Sequence, residues 1–406
     1  MTRALLLSDV YFPRVNGVST SIRSFREDLE AEGVHTTLVV PEYGVVATES
    51  SEAGIVRVPA ASVPRDPEDR RMRMGALRAA LARLDGAPFD LVHVQTPFLA
   101  HYAGVRYARR RGLPVVATYH TLFAEYLHHY VPLLPRRLGG ALARAVTRAQ
   151  CRELDAIVAP SEPMRRLLAD YGVHRPVQVI PTGLTAGRFE SGDGARFRLA
   201  WRLPAGRPLL LYVGRVAHEK NIEFLVHAFC QLRSARPDAL LVIAGEGPAR
   251  PRLDALVRQL GIGRDVAFIG YLEREQALRD CYAAADVFVF ASRTETQGLV
   301  LLEAMAQGRP VVSTAHLGTT SILLPGCGAA IVPDDHTAFA RAVLEFLGDP
   351  ARAARAGAVG RRFAEAWSSR VMARRLARFY RELLRRDMLG ARVQSSDGAG
   401  GVSTSP

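Results

Sequence analysis

Lysine is almost absent from this 406-residue chain, although the chain carries a net charge of +13. Lysine and arginine together number 53, and Lys220 is the single lysine, so 52 (53 − 1) are arginine. A coding bias explains the arginines and makes a surviving lysine more informative. Lysine presents a compact point charge to a phosphate, whereas arginine presents a rigid planar fork. Chance placement of Lys220 on a solvated turn is the alternative at this point.

Cysteine is also scarce, and its spacing excludes a disulfide framework or a zinc site. The four cysteines lie far apart without a C-x-x-C pair, which indicates a reducing compartment. No run approaches the ~20 apolar residues of a membrane-spanning helix. The first residues contain too short an apolar run for a signal peptide and are expected to form a strand. A soluble, cytoplasmic globular protein is therefore expected.

Several phosphate-site and metal-site motifs are missing as well. There is no D-x-D pair and no histidine cluster, so we expect no metal. No G-x-G-x-x-G follows a strand and no G-x4-G-K-[ST] occurs, so neither a dinucleotide fingerprint nor a P-loop is present. No cofactor is expected.

Short apolar runs alternate with helical stretches along the whole chain. Runs of this kind predict parallel sheets covered on both faces. The length suggests two domains, and the turn-rich segment Pro181–Gly187 is the expected hinge. The predicted strands are Ala4–Leu7, Thr36–Val40, Ile55–Val58, Leu91–Val94, Val115–Tyr119, Ala156–Ala159 and Val177–Ile180 in the first half, and Leu209–Val213, Leu240–Ala244, Val266–Ile269, Val287–Ala291, Pro310–Ser313 and Ala330–Val332 in the second.

Candidate ligand-binding residues follow the predicted strands. Open parallel sheets bind ligands beyond the carboxyl ends of their strands. Asp9, His120, Gly214, Gly245 and Glu295 all lie at such ends. They are therefore expected at the ligand-binding edges of the two sheets.

A second group of residues suggests an anion and a diol. Arg215 and Lys220 follow a strand that ends at Gly214. Glu303 lies in an apolar run, Leu299–Ala306, that predicts a buried helix. A carboxylate there is costly without a donor, which would be a backbone amide, an arginine, or a ligand diol such as a ribose. Gly298, just before this helix, lets its N-terminal amides approach an anion.

Together, Gly-Arg-x4-Lys at 214–220, Ala-Gly-Glu-Gly-Pro at 244–248 and the E-x7-E pair Glu295 and Glu303 resemble the retaining glycosyltransferases of the GT-B fold. That family includes sucrose synthases, phosphatidylinositol mannosyltransferases and bacterial glycolipid synthases. The resemblance covers about residues 1 to 385. It implies an α/β fold of two doubly wound Rossmann-like domains, with parallel sheets facing across a cleft and a C-terminal helix crossing back to the first domain. The expected bounds are 1–185 for the acceptor domain, 186–365 for the nucleotide-sugar domain, 366–388 for the crossover helix and 389–406 for a disordered tail.

The resemblance also implies roles for particular residues. Arg215 and Lys220 would neutralise the departing diphosphate without a metal, Glu295 would hold donor-sugar hydroxyls and Glu303 the ribose. His120 would contact the donor sugar near the reacting carbon as a positioning group. The other expected substrate-binding residues are Asn16, Gly17, Gly214, Gly245, Thr296, Gln297, Gly298 and Leu299.

The loop after the first strand departs from the common pattern. Many members carry two consecutive glycines there, whereas this chain has Gly17 and then Val18. The form P-x-x-N-G-V is similar to that of the glycolipid-synthesising branch. The resemblance therefore carries over no contact that depends on a second glycine.

Positive charge is concentrated in two stretches. Residues 101–152 hold nine arginines and one acidic residue (9 − 1 = +8), and residues 350–386 hold eleven arginines and two glutamates (11 − 2 = +9). Coding bias on solvated helices is one explanation, and an anionic membrane surface is another. Nucleic acid is disfavoured because no recognition motif occurs and aromatics, at 7%, are not interleaved with the basic runs.

An aromatic segment after His120 bears on the acceptor. Phe123, Tyr126, Leu127 and Tyr130 have helical spacing, which suits either core packing or an interfacial patch beside arginines. The sequence pattern Tyr-His-Thr…Tyr-Leu-His is similar to that of diacylglycerol glucosyltransferases, and this favours a lipid acceptor.

The expected function is transfer, with retention, of a hexose from a nucleotide sugar such as UDP-glucose to a membrane lipid such as diacylglycerol. The expected location is the inner face of the cytoplasmic membrane. The alternatives are a GDP-mannose-dependent mannosyltransferase acting on phosphatidylinositol, polyprenyl or polysaccharide, and a nucleotide-sugar epimerase of the same fold. An epimerase needs paired acid/base carboxylates that we cannot assemble. Intact Arg215, Lys220, Glu295 and Glu303 argue against a non-catalytic binding protein.

Overall fold

The structure, a computed structural model, describes residues 1–44, 53–63, 66–120, 136–272 and 275–397. The chain divides into two compact units. The first contains Met1–Pro160, Met164–Ile180 and the chain from Met372 onward, and the second contains Ser161–Pro163 and Pro181–Val371. The aromatic segment after His120 lies outside the described residues.

The first unit is built on a seven-stranded sheet with the strand order β3-β2-β1-β6-β7-β8-β9, and its paired strands are all parallel. Strands β4 and β5 form a separate antiparallel hairpin. The strands are β1 (Thr2–Leu7), β2 (Val34–Pro41), β3 (Ile55–Val58), β4 (Ala60–Val63), β5 (Asp66–Met72), β6 (Leu91–Val94), β7 (Val115–Thr118), β8 (Ala156–Ala159) and β9 (Val177–Val179). The helices are α1 (Gly17–Leu29), α2 (Met74–Arg83), α3 (Leu99–Arg111), α4 (Arg136–Arg152) and α5 (Glu162–Asp170).

The second unit is built on a six-stranded parallel sheet with the strand order β12-β11-β10-β13-β14-β15. Its strands are β10 (Leu209–Val213), β11 (Leu240–Ala244), β12 (Val266–Gly270), β13 (Val287–Phe290), β14 (Val311–Ser313) and β15 (Ala329–Ile331). Its helices are α6 (Gly194–Ala200), α7 (Ile222–Leu232), α8 (Arg250–Gln259), α9 (Glu275–Ala284), α10 (Leu299–Ala306), α11 (His336–Gly348) and α12 (Pro350–Glu365), and α13 (Ser369–Asp397) follows. Short 3-10 turns occupy Glu30–Glu32 in the first unit and Ala186–Phe189, His218–Lys220 and Leu317–Ser321 in the second.

Both sheets are covered on both faces, as the apolar runs predict. Successive side chains of a strand point to opposite faces, and in β1 Leu5 and Leu7 belong to one buried cluster while Ala4 and Leu6 belong to another. A parallel sheet needs such cover on each side. The predicted class, two doubly wound Rossmann-like domains with a helix returning to the first, is confirmed.

The C-terminal helices differ from the prediction in two ways. The periodic stretch from Phe363 to Arg386 is interrupted, because the backbone around Trp367 and Ser369 pairs with Leu184 in a short parallel bridge. Helix α13 then runs past residue 388 to Asp397, so the tail predicted to be disordered from residue 389 is helical at its start.

A buried polar chain fastens α13 to the first sheet. His93 in β6 shares one hydrogen bond with Tyr380 of α13 (Nδ1 to Oη, 2.5 Å) and another with Thr118 of β7 (Nε2 to Oγ1, 2.7 Å). Burial lowers the pKa of His93 to about 3, so the ring is neutral at neutral pH. The helix is therefore positioned by a specific polar contact as well as by apolar packing.

We expect Tyr380→Phe to lower the free energy of unfolding by about 1–3 kcal/mol, because it removes a hydrogen-bond partner from a buried imidazole. Urea denaturation of the full chain measures this. Arg374→Ala on the same helix is the control, since it removes only a partly exposed ion pair with Glu32 and should change stability by less than about 1 kcal/mol. Equal losses in the two variants would contradict a special role for the buried contact.

Candidate functional site

The strand order of the second unit creates a switch point between β10 and β13. The chain runs outward from β10 through β11 to β12 and then resumes at β13 on the other side of β10. Ligands of open parallel sheets bind beyond the carboxyl ends of strands at such a point. Lys220 follows β10 and Glu295 follows β13, so the topology brings together two predicted residues that are 75 positions apart.

Lys220 and Glu295 form an ion pair at this switch point. Lys220 Nζ donates to Glu295 Oε1 at 2.6 Å, and the two side chains are 20% and 19% exposed. Asn221 holds the two loops together, because its Nδ2 donates to the carbonyl of Ala291 at 3.1 Å. Its left-handed backbone, with φ 55°, ends the 3-10 turn His218–Lys220, and asparagine tolerates that conformation better than most residues. The ammonium group keeps two further N–H donors for a ligand.

The loops after β10 and β11 touch through backbone. A Cβ at Gly245 would lie 2.0 Å from the carbonyl oxygen of Gly214, so position 245 accepts no side chain. Beneath them, the Tyr212 hydroxyl donates to the carbonyl of Arg215 at 3.1 Å. Burial raises the pKa of Tyr212 well above its usual value, so the hydroxyl keeps its proton. Gly214 and Gly245 therefore shape the loop that carries the predicted cation Arg215, whose side chain is partly buried.

Helix α10 begins at this edge of the sheet, as predicted. Gly298 is its N-cap with φ 101°, and Leu299 is its first residue. The N–H groups of a first helical turn lack intrahelical partners and favour an anion. The start of α10 can therefore supply backbone donors to an anion, and it follows closely in the chain on Glu295, the partner of Lys220.

Glu303 is buried, with 9% of its side chain exposed, and has partners inside the protein. The Tyr282 hydroxyl donates to Oε2 at 2.7 Å, and Arg188 Nε lies 3.7 Å from Oε1. These contacts offset the cost of burying the carboxylate. The ribose role of Glu303 stays a prediction, and it would have to use the remaining lone pairs of this carboxylate.

The segment between Glu295 and Gly298 is held by hydrogen bonds from three directions. The N–H of Gly318 donates to the Glu295 carbonyl at 2.8 Å, and the Ser161 hydroxyl donates to the Thr296 carbonyl at 2.6 Å. The side chain of Gln297 is 5% exposed and bonds to the backbone of Thr182. Thr296 and Gln297 are predicted to bind substrate. The structure shows the Thr296 carbonyl and the Gln297 side chain bonded to other parts of the protein, and their contacts with substrate stay predictions.

The remaining predicted residues, Asn16, Gly17 and His120, lie in the first unit. Asn16 caps α1, since its Oδ1 accepts from the Ser19 N–H at 2.9 Å. No atom of the described residues would lie within 4 Å of a Cβ at Gly17. His120 Nε2 lies 3.0 Å from Gln95 Oε1, and burial lowers its pKa to about 4, so the ring is neutral and donates to the amide oxygen.

Asp9 also lies at a strand end of the first unit. It accepts hydrogen bonds from the Thr96 hydroxyl at 2.7 Å and from the Ala100 N–H at 3.1 Å, and so caps the start of α3. Burial raises its pKa to about 6 despite these donors.

Sequence reasoning missed several residues that bond to the predicted site residues or pack against them. They are polar or small residues whose partners are distant in the sequence, so periodicity does not reveal them. The available signals were weak: two glutamines flanking an apolar helix, and a lone glycine in His-Leu-Gly-Thr-Thr. The missed residues are Ser161, Thr182, Arg188, Tyr282, Gln307 and Gly318.

Two Rossmann-like units with a site at the β10–β13 switch point define the architecture of a GT-B glycosyltransferase. Sucrose-phosphate synthase from Thermosynechococcus elongatus has a similar structure, with a TM-score of 0.79 and 25% sequence identity, covering 95% of this chain and 100% of that one. Two family profiles match: Glycosyl transferases group 1 at residues 195–363 and Glycosyltransferase Family 4 at residues 15–188. The chain belongs to the group 1, family 4 glycosyltransferases.

Curated relatives carry more specific names. An alpha-monoglucosyldiacylglycerol synthase from Streptococcus pneumoniae is 32% identical over 349 residues, covering 84% of this chain and 77% of that protein. A GDP-mannose-dependent alpha-mannosyltransferase from Mycobacterium tuberculosis is 30% identical over 336 residues, covering 82% of this chain and 84% of that protein. The protein is thus a glycosyltransferase, similar both to an alpha-monoglucosyldiacylglycerol synthase and to a GDP-mannose-dependent alpha-mannosyltransferase.

We expect Gly318→Ala to disturb the Glu295–Gly298 segment, because the added Cβ would lie 2.1 Å from the Thr296 carbonyl. Overpacking of this kind costs about 1–3 kcal/mol, measurable as a loss in the free energy of unfolding. Gly263→Ala is the matched control, since no described atom lies within 4 Å of its Cβ position. If both variants were as stable as the parent, this would contradict the close packing of residue 318 against the Thr296 carbonyl.

Proposed function

We propose that this protein is a retaining hexosyltransferase that moves a hexose from a nucleotide diphosphate sugar, UDP-glucose or similar, to a membrane lipid such as diacylglycerol. The observation that carries the donor half is the Lys220–Glu295 ion pair at the switch point of the second unit. The name and coverage of the Streptococcus pneumoniae relative support the acceptor half.

The proposed chemistry is stabilisation of a departing diphosphate. Breaking the sugar–phosphate bond leaves negative charge on the nucleoside diphosphate, and preorganised donors lower the barrier. Lys220, Arg215 and the first turn of α10 supply such donors on one sheet edge. Glu295 accepts from Lys220 through one oxygen, which leaves the carboxylate able to accept from donor-sugar hydroxyls as well.

The proposed role of His120 follows from its protonation state. Burial lowers the pKa of His120 to about 4 and so keeps the ring neutral, and its Nε2 donates to Gln95. Its proposed role is that of a hydrogen-bonding group near the reacting carbon rather than a general base. Retention then follows a same-face route in which the leaving phosphate oxygen takes the proton of the acceptor hydroxyl. The sugar–phosphate bond breaks, the sugar–acceptor bond forms, and the proton ends on the diphosphate.

A surface of the first unit fits peripheral binding to an anionic membrane. Arg144, Arg148 and Arg152 recur every four residues on α4, and all three are exposed. A stripe of exposed arginines suits contact with anionic headgroups. No helix within the described ranges is long and apolar enough to cross a bilayer.

The experiment that tests the proposal is a calorimetric panel of UDP, GDP, ADP and their sugars, followed by mass analysis of products formed with a lipid extract. We expect UDP to bind in the calorimetric panel, and we expect a hexosylated lipid among the products. A clear preference for GDP-mannose would support the mannosyltransferase alternative, which the Mycobacterium tuberculosis relative favours. Failure of every nucleotide to bind would contradict the proposed function.

Lys220→Ala should raise the barrier to transfer by about 3 kcal/mol or more, about a hundredfold in rate, because it removes a preorganised cation. Steady-state kinetics with saturating acceptor measures this. Arg258→Ala, which removes an exposed cation from α8 of the same unit, should leave the rate unchanged. Turnover of Lys220→Ala within threefold of the parent would show that Lys220 has another role.

Flotation with liposomes checks the membrane proposal. The full chain should float with vesicles that contain anionic lipid and remain behind with purely zwitterionic ones. Arg144→Ala combined with Arg148→Ala should weaken binding by about 2 kcal/mol, at about 1 kcal/mol for each arginine near the surface. Equal partition into both kinds of vesicle would remove the proposal.

A further inference from the structure

Gln297 makes a two-way amide contact with the backbone of Thr182. Its Oε1 accepts from the Thr182 N–H at 2.8 Å, and its Nε2 donates to the Thr182 carbonyl at 2.8 Å. Both residues are buried, at 5% and 4% exposure. The side chain therefore reproduces the paired hydrogen bonds that a neighbouring strand would make.

The position of Gln297 in the sequence gives this contact its consequence. It lies two residues after Glu295, the partner of Lys220, and one before Gly298, the N-cap of α10. Anchoring residue 297 fixes the direction in which the chain leaves the carboxylate and enters the helix. The Glu295 carboxylate and the N-terminus of α10 are thus both positioned relative to the backbone of Thr182.

Thr182 is a firm anchor because its neighbourhood is itself cross-linked. The second unit's main segment begins at Pro181, and Leu184 exchanges backbone hydrogen bonds with Trp367 and Ser369, each at 2.8 Å. A Cβ at Gly183 would lie 2.5 Å from the backbone of Ser369, so the two strands are in close contact there. The anchor is backbone, which a single side-chain change does not loosen.

The far end of α10 carries a matched contact of the same chemistry. Gln307 Nε2 donates to the carbonyls of Arg188 and Glu190, at 2.7 and 2.8 Å, and its Oε1 accepts from the Gly192 N–H at 3.1 Å. Gln307 is 7% exposed, close to the value for Gln297. The helix is therefore bonded at both ends to the segment 182–192, but only the Gln297 end carries Glu295 and the helix N-terminus.

We propose that Gln297 is a positioning residue: through Thr182 it holds the segment Glu295–Gly298 in the geometry that binds the nucleotide sugar, without contacting the substrate itself. This inference rests on the proposed function for the identity of the ligand. Its structural half, that Gln297 orders this segment, does not.

The test compares Gln297→Met with Gln307→Met in the full chain. Methionine keeps the length and the burial of the side chain but makes none of the amide bonds. Amide hydrogen exchange of residues 295–299 is measured without ligand, and UDP and GDP are titrated separately by calorimetry. Gln297→Met should speed local exchange at least tenfold and weaken binding of the preferred nucleotide at least tenfold. Gln307→Met should leave that affinity within twofold of the parent while lowering the melting temperature.

Kinetics separate positioning from general destabilisation. Gln297→Met should raise KM for the donor at least tenfold while KM for the acceptor stays within twofold. Gln297→Leu stays apolar and buried and makes neither bond to Thr182, so it should shift the same quantities in the same direction, and it serves if the methionine variant fails to fold.

Three results discriminate the ideas. Unchanged exchange and unchanged affinity in the Gln297 variants would overturn the inference, and so would an equal loss of affinity in Gln307→Met. If the parent binds no nucleotide, the proposed function fails, and the exchange data still decide whether Gln297 orders the segment.

Discussion

The ion pair between Lys220 and Glu295 depends on one topological fact, the reversal of strand order between β10 and β13. Because β13 lies beside β10, loops that are far apart in the sequence end at the same edge of the sheet. A short contact of 2.6 Å between partly exposed groups gains little stability of its own in a solvated place. Its importance is positional, since it holds a cation and a carboxylate where helix α10 begins.

Around this pair, the second unit is organised by buried polar side chains that bond to backbone. Gln297 precedes α10, Glu303 lies within it and Gln307 follows it. Each finds its partners in the segment 182–192 or in α9. Such groups are costly when unsatisfied, so they favour one arrangement strongly over its neighbours. An apolar helix alone could slide or rotate by a fraction of a turn, and these bonds oppose that movement.

In the first unit, too, buried polar side chains fix the position of a helix by hydrogen bonding. His93 links the sheet to α13 through Tyr380 and to β7 through Thr118, two residues before His120. Burial holds both His93 and His120 in the neutral form. A neutral imidazole in an apolar setting can position a neighbour by hydrogen bonding without the cost of a buried charge.

Much of the architecture could be predicted from the sequence, because apolar runs of strand length and their alternation with helices are local properties. The bounds of α10 and the strand ends before Gly214 and Glu295 followed from such patterns, and the charges on Arg215 and Lys220 follow from residue type alone. The break between α12 and α13 could not be predicted, since it is caused by backbone pairing with Leu184, far away in the chain. Likewise, the sequence predicted that a buried Glu303 needs a hydrogen-bond donor, but only the fold determines that Tyr282 and Arg188 are its partners. Sequence by itself determined which groups are available and where strands end; the tertiary structure decided which of them meet, because hydrogen bonds and ion pairs depend on distances that long-range packing alone sets.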